Sequence, residues 1–155
     1  MTLAEFPGIT PHLTVPDTEA AVRFYRAAFG ADELVRNVAP DGRVMHCELL
    51  LDGGRLLLHD EFPESGALGP AALGGSPVTL HRYVADVDAA YAAALAAGAT
   101  GTQPPADTFW GDRYAQLTDP AGHRWSLATQ REDLSPDELR ARADDWSGGS
   151  APLAS

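Results

Sequence analysis

The sequence predicts an α+β fold made of two βαβββ modules in one chain, and three observations predict it. The chain nearly repeats itself. Shifted by 69 residues, Thr10 falls on Thr79, His12 on His81, Val15 on Val84, Asp17 on Asp86 and Ala20-Ala21 on Ala89-Ala90. After a one-residue slip, Gly30-Ala31 falls on Gly98-Ala99. Self-similarity at a fixed period marks a repeated structural unit. Each copy also carries the same punctuation: a short apolar run, an Asp able to cap a helix, an Ala-rich segment, and a Gly suited to a left-handed C-cap. Finally, strand-like runs follow each Ala-rich segment, parted by the turns PDG, DGG and DPAG.

The elements follow in order. Strands are expected at roughly 9–15 and 78–84, and helices at 18–29 and 87–97 behind Asp17 and Asp86. The first half continues with strands at 33–38, 43–51 and 55–60. The second half continues near Thr100, then at 113–118 and 123–128. Residues 1–130 are read as one domain with repeats at about 7–60 and 77–130, and the Pro-, Gly- and Ser-rich stretch 61–76 as their linker. In SPDELRARADDW, Ser135 and Glu138 form a capping box, so a short helix is expected, followed by a disordered tail, SGGSAPLAS.

Composition limits the function. The chain has 155 residues, enough for one sizeable core. No apolar run approaches the roughly 20 residues a membrane span needs, and MTLAEFPGIT has neither the basic nor the apolar region of a secretion signal. The single cysteine, Cys47, allows no internal disulfide and suits a reducing cytoplasm. It alternates with the apolar set and reads as an inert core thiol. Net charge is −11, and all eleven basic residues are arginines. That balance argues against nucleic acid or an anionic membrane as partner; it leaves room for a cationic ligand, and an acidic surface can equally serve solubility alone.

Period-two alternation sorts the strand residues between faces. Ile9, Leu13 and Val15 oppose Thr10, His12 and Thr14; Leu80 and Val84 oppose Thr79, His81 and Tyr83. Leu56 and Leu58 oppose Arg55, Leu57 and His59; Trp125 and Leu127 oppose Arg124, Ser126 and Ala128; Met45, Cys47 and Leu49 oppose His46 and Glu48. The greasy sets are expected under the helices and the mixed sets on a shared concave surface. His12, His59 and His81 fall on that surface, with His46 and Glu48 as additions. Imidazoles converging from different strands can bind a divalent metal that polarises a substrate oxygen. They can equally serve as pocket walls that hydrogen-bond the ligand. Glu48 is the candidate general base. Arg55 and Arg124 could hold an anionic group. In FWGDRY, Phe109 and Trp110 are candidate ligand walls, as is Tyr83, while Asp112 and Arg113 are expected to pair with each other. His123, after the Gly122 turn, is expected to be exposed.

The duplicated plan, with HLTVPDTEAAVRFYRAAFGA, VTLHRYVADVDAAYAAALAAGAT and FWGDRYAQLTDPAGHRWSLAT, resembles the vicinal oxygen chelate superfamily of glyoxalases, bleomycin-resistance proteins and extradiol dioxygenases. DGRVMHCELLL, DEFPESGALGP, GGSPVTLH, FWGDRY and REDLSPDEL resemble its PhnB-like branch. The resemblance implies a curved-sheet cleft, a homodimer that pairs modules across subunits, and a divalent metal such as zinc, nickel, manganese or iron. Such a metal would serve a lyase, isomerase or dioxygenase. It also places the usual metal-ligand positions at Thr10, near Leu57, at Thr79 and at Ser126, none of them a good ligand. His12, His59 and His81 each lie two residues further on, about 6.6 Å along a strand. They are therefore the expected ligands of a displaced metal site. The alternative implied by the resemblance is a metal-free cleft that sequesters a small molecule, as drug-binding members do with a cationic antibiotic.

Overall fold

The computed structural model describes residues 8–147. Its first module runs β1 (His12–Val15), α1 (Thr18–Phe29), β2 (Asp32–Val38), β3 (Val44–Leu51) and β4 (Gly54–Asp60). A 3-10 turn (Pro63–Ser65) and the short α2 (Pro70–Leu73) lead to the second module. That module runs β5 (Thr79–Tyr83), α3 (Val87–Ala96), β6 (Thr100–Asp107), β7 (Asp112–Thr118) and β8 (Arg124–Gln130), and α4 (Pro136–Ser147) follows. The sheets are ordered β1-β4-β3-β2 and β5-β8-β7-β6, the same topology twice. In each, the first strand lies parallel to the last and the rest are antiparallel.

Both helices start where the sequence caps them. Asp17 accepts the Ala20 N–H at 3.0 Å, and Asp86 accepts the Ala89 N–H at 3.1 Å. Gly30 ends α1 at φ 69°, where a side chain would be strained. The capping box of α4 forms, with Ser135 N–H on Glu138 at 2.9 Å and Glu138 N–H on the Ser135 hydroxyl at 3.3 Å.

One core joins the modules. Leu13, Val15, Cys47, Leu49, Leu56 and Leu58 of the first sheet and Ala115, Leu117, Trp125 and Leu127 of the second belong to one buried cluster with α1. Phe29 and Tyr25 of α1 lie 4.8 and 5.6 Å from the Trp125 ring. Asp119, in the DPAG turn, accepts the Tyr25 hydroxyl at 2.5 Å, the Trp125 indole N–H at 2.9 Å and the His123 N–H at 2.9 Å. Burial and the neighbouring Asp119 push the Tyr25 hydroxyl pKa well above its ordinary value. A second tie is ionic: Arg82 of β5 forms a two-pronged pair with Asp52 of the β3–β4 turn, at 2.5 and 2.8 Å. A third is the His123 ring, whose Nε2 donates to the Thr14 carbonyl at 2.9 Å.

Several expectations are corrected. Ile9 is fully exposed, because β1 begins only at His12, after Pro11. Met45 is exposed, because it bulges out of register between the Asn37–His46 and Val38–Val44 pairs. The strand near Thr100 extends to Asp107 through Pro104 and Pro105. It lies at the sheet edge, where prolines without an N–H are tolerated. His123 is half-buried rather than exposed. Asp112 and Arg113 do not pair: Arg113 binds Asp88 and Asp107 instead. The expected disordered tail lies, apart from Ser147, outside the described residues.

Candidate functional site

The alternation that buries Leu13, Leu56, Leu58 and Trp125 turns their strand neighbours away from the core. The first open face is set by register. His12 pairs with Leu57, and Leu57 pairs with Glu48; one step along, Thr14 pairs with His59. The His12 ring sits edge-on to His59 at 4.8 Å and to His46 at 6.0 Å. Glu48 is buried beneath this group, 3.0 Å from His46 Nε2 and 3.9 Å from Arg55. His59 is held at both ring nitrogens: Nδ1 donates to the Asp60 carbonyl at 2.7 Å, and Nε2 meets the Thr14 hydroxyl at 3.1 Å. Burial, followed by the neighbouring His59 and His46, lowers the pKa of His12, so its ring is neutral at pH 7.

The second open face repeats the pattern. His81 pairs with Ser126, and Ser126 pairs with Gln116; Tyr83 pairs with Ala128, and Ala128 with Tyr114. His81 Nδ1 lies 2.6 Å from the Ser126 hydroxyl. Burial lowers its pKa, against the opposing pull of Asp112. Asp112, at the start of β7, accepts the Tyr83 hydroxyl at 3.0 Å and the Trp110 indole N–H at 3.1 Å. The hydrogen bond to Asp112 and then burial raise the Tyr83 pKa. Phe109 and Trp110 meet edge-to-face at 5.1 Å, and Phe109 reaches Trp146 of α4 at 5.1 Å. Arg124 stands half-buried on the same face, in register with Thr79.

The structure brings His12, His46, His59, Glu48 and Arg55 together, and separately His81, Tyr83, Phe109 and Trp110. It does not bring His81 to His12 or His59. Among the described residues no hydrogen bond or ring contact joins them. Nor, among those residues, do three or more His, Cys, Asp or Glu side chains gather to hold one ion. The expected three-histidine metal site is therefore not assembled within one chain. The reason is topological: β1 and β5 start different sheets, each closed by its own last strand. The chemistry of the donors agrees. His59 has both nitrogens occupied, and the positions that the resemblance assigns to metal ligands, at Thr10, near Leu57, at Thr79 and at Ser126, hold no good donor. The residues present do not fit the family's metal.

Sequence reading passed over Asp112 as a chemical group, as well as Tyr114 and Trp146. Period-two alternation from Arg113 could have placed Asp112 and Tyr114 on the open face. Trp146 carried no such signal, because its contact with Phe109 depends on how α4 folds back.

The chain is similar to known proteins over most of its length. A family model described as the Glyoxalase/Bleomycin resistance protein/Dioxygenase superfamily matches residues 8–127. An uncharacterised protein of Mycobacterium tuberculosis (strain H37Rv) is 43% identical over 138 residues, covering 87% of this chain and 81% of that protein. The X-ray structure of an Arabidopsis thaliana gene product is 30% identical with a TM-score of 0.63, over 79% of this chain and 98% of that one. A PhnB protein of Bacillus cereus, 19% identical, shares the fold with a TM-score of 0.61, over 78% of this chain and 98% of that one.

Proposed function

The chain belongs to the glyoxalase/bleomycin resistance protein/dioxygenase superfamily. From that premise we propose that it binds a small organic molecule on its two open strand faces, without a metal at the family's positions. The observation that carries the reading is the state of the imidazoles. Four of them line the open faces, yet among the described residues no three donors gather to hold one ion; His59 is engaged at both nitrogens, by Thr14 and Asp60, and His46 and His81 at one each, by Glu48 and Ser126. Such rings act as hydrogen-bonding walls, with His12 and the second nitrogens of His46 and His81 left to meet the ligand.

Both faces turn away from the shared core, so neither closes over a ligand within one chain. We propose that a homodimer completes the cleft, with the first face of one protomer opposite the second face of its partner. Among the described residues no helix is long and apolar enough to cross a membrane. The lone cysteine and the net charge of −11 support a cytoplasmic protein that handles small molecules rather than nucleic acid.

The test is a small-molecule library screened for thermal stabilisation of the chelator-treated protein, with the His12→Ala/His81→Ala double variant beside it. Compounds that stabilise the wild type, and stabilise the double variant less, are the expected result. Stabilisation that appears only after divalent metal is restored would overturn the reading.

A second reading, an enzyme that moves protons without a metal, is favoured by one contact: the buried Glu48 carboxylate against His46 at 3.0 Å. Under it, Glu48→Gln abolishes turnover of the identified ligand and leaves its affinity within a few fold. Under binding alone there is no turnover to lose.

A further inference from the structure

We propose that the second open face seats an organic ammonium group on Asp112, walled by Tyr83, Trp110 and Tyr114. The inference rests on the reading that these faces bind small molecules, and it names the class of ligand.

A carboxylate removed from water needs a counter-charge or a full set of donors. Three buried carboxylates can be compared. Glu48 has His46 at 3.0 Å and Arg55 at 3.9 Å. Asp119 has three donors divided between both oxygens. Asp112, only 6% exposed, has neither arrangement. Tyr83 and Trp110 both donate to its Oδ2. Its Oδ1 has no hydrogen-bond partner, and the carboxylate has no ion pair among the described residues. Oδ1 is not sealed in, since the one fully buried polar side-chain atom without a partner among those residues is Thr18 Oγ1. It therefore keeps some contact with solvent.

Nearby cations do not supply the missing charge. Arg113 is held by Asp88 at 2.6 Å and Asp107 at 3.2 Å. Arg131 lends its field to Asp88. Arg124 shares the face, but it lies six residues along β8 from Gln130, the register partner of Asp112. That spacing is about 20 Å. His81, its pKa lowered by burial, brings no charge at neutral pH.

The surroundings suit a cation. Ring contacts run unbroken from Trp110 to Tyr114 at 5.6 Å, Tyr114 to His81 at 6.1 Å and His81 to Tyr83 at 4.9 Å. The small Ala128 lies in register between Tyr83 and Tyr114. Electron-rich ring faces attract an ammonium, and its N–H groups have an open acceptor in Oδ1. An anion would meet the Asp112 carboxylate and be repelled. The net charge of −11 draws cations to the protein from further away.

The experiment follows the indole N–H signals of the labelled full-length protein by NMR, with the Trp110 signal assigned from Trp110→Phe. The probes are benzylammonium, benzyl alcohol and benzoate. The expected result is a saturable shift of the Trp110 signal with benzylammonium, and affinity at least about tenfold weaker for the other two. Asp112→Asn should weaken benzylammonium by about tenfold or more, with an unchanged Trp125 signal reporting an intact core. Tyr83→Ala, at an exposed position, should weaken it several-fold and serves as the check if Asp112→Asn misfolds. Equal response to the three probes, or benzylammonium binding that survives both variants, would overturn the proposal. So would silence toward all three while library compounds still stabilise the protein, which leaves the binding reading standing. If no library compound binds either, both readings fall.

Discussion

Arg82 and Asp52 tie the second module to the first, and the cost of cutting that tie can be worked out. The Arg82 side chain is 9% exposed and that of Asp52 is 48% exposed. The guanidinium makes two bonds to the carboxylate and lies 4.4 Å over the Phe29 ring. Exposed pairs contribute about 0–1 kcal/mol, whereas stripping one partner from a fully buried pair costs about 3–5 kcal/mol. A pair with one buried and one half-exposed member falls between, at about 2 kcal/mol. Asp52 also sits at φ +53°, which Asn tolerates as Asp does. Asp52→Asn therefore removes the charge without adding backbone strain, and Arg82→Met removes the cation while keeping apolar bulk over Phe29. Each is expected to lower unfolding stability by about 1–2 kcal/mol in urea titrations, and Tm by about 2–4 °C per kcal/mol. The double variant should recover about 1–2 kcal/mol of coupling relative to additivity. Single variants within about 0.3 kcal/mol of wild type, or strict additivity, would refute the tie between modules.

Other expectations can be checked in the same way. Asp119→Asn weakens three hydrogen bonds around Tyr25 and Trp125 and should cost about 1–3 kcal/mol, read in urea with Trp125 emission as the probe. His12 and His81 have pKa values lowered from 6.5 by burial, so the unfolded chain takes up protons first. Their contribution to stability is full above pH 6.5 and lost as pH falls through 6.5 toward the folded values. The slope of stability against pH in that window should flatten in His12→Gln and His81→Gln. Burial pushes the Cys47 thiol pKa up to about 11, so a thiol reagent at pH 8 should leave the native protein unmodified and label it once unfolded. Gly122 combines φ +94° with a site where a Cβ would lie 2.9 Å from Pro70. Gly122→Ala should lower stability by about 1–3 kcal/mol in the same urea assay.

Much of the fold could be read because its signals are local. Asp17, Asp86 and Gly30 cap where their residue types indicated, and the alternation of Leu56, Leu57, Leu58 and His59 sorted the faces correctly. What escaped depended on distant partners. Nothing near Arg82 announces Asp52, and nothing near His123 announces the Thr14 carbonyl. Met45 failed because a bulge breaks period two, and Ile9 failed because β1 starts late. The grouping of His12 with His59 followed from strand pairing, whereas adding His81 assumed that two similar strands face each other within one chain. The pairing of like sequences says nothing about which way two sheets turn, and here one core takes both apolar faces.

The most direct test of the account is the metal content of the purified protein, measured by elemental mass spectrometry before and after incubation with zinc, nickel, manganese and iron(II). Binding far below one ion per chain under every condition, together with small molecules that still stabilise the chelator-treated protein, is the expected result. Close to one ion per chain, lost in His12→Ala and in His81→Ala, would contradict the account and establish a metal site assembled from both faces.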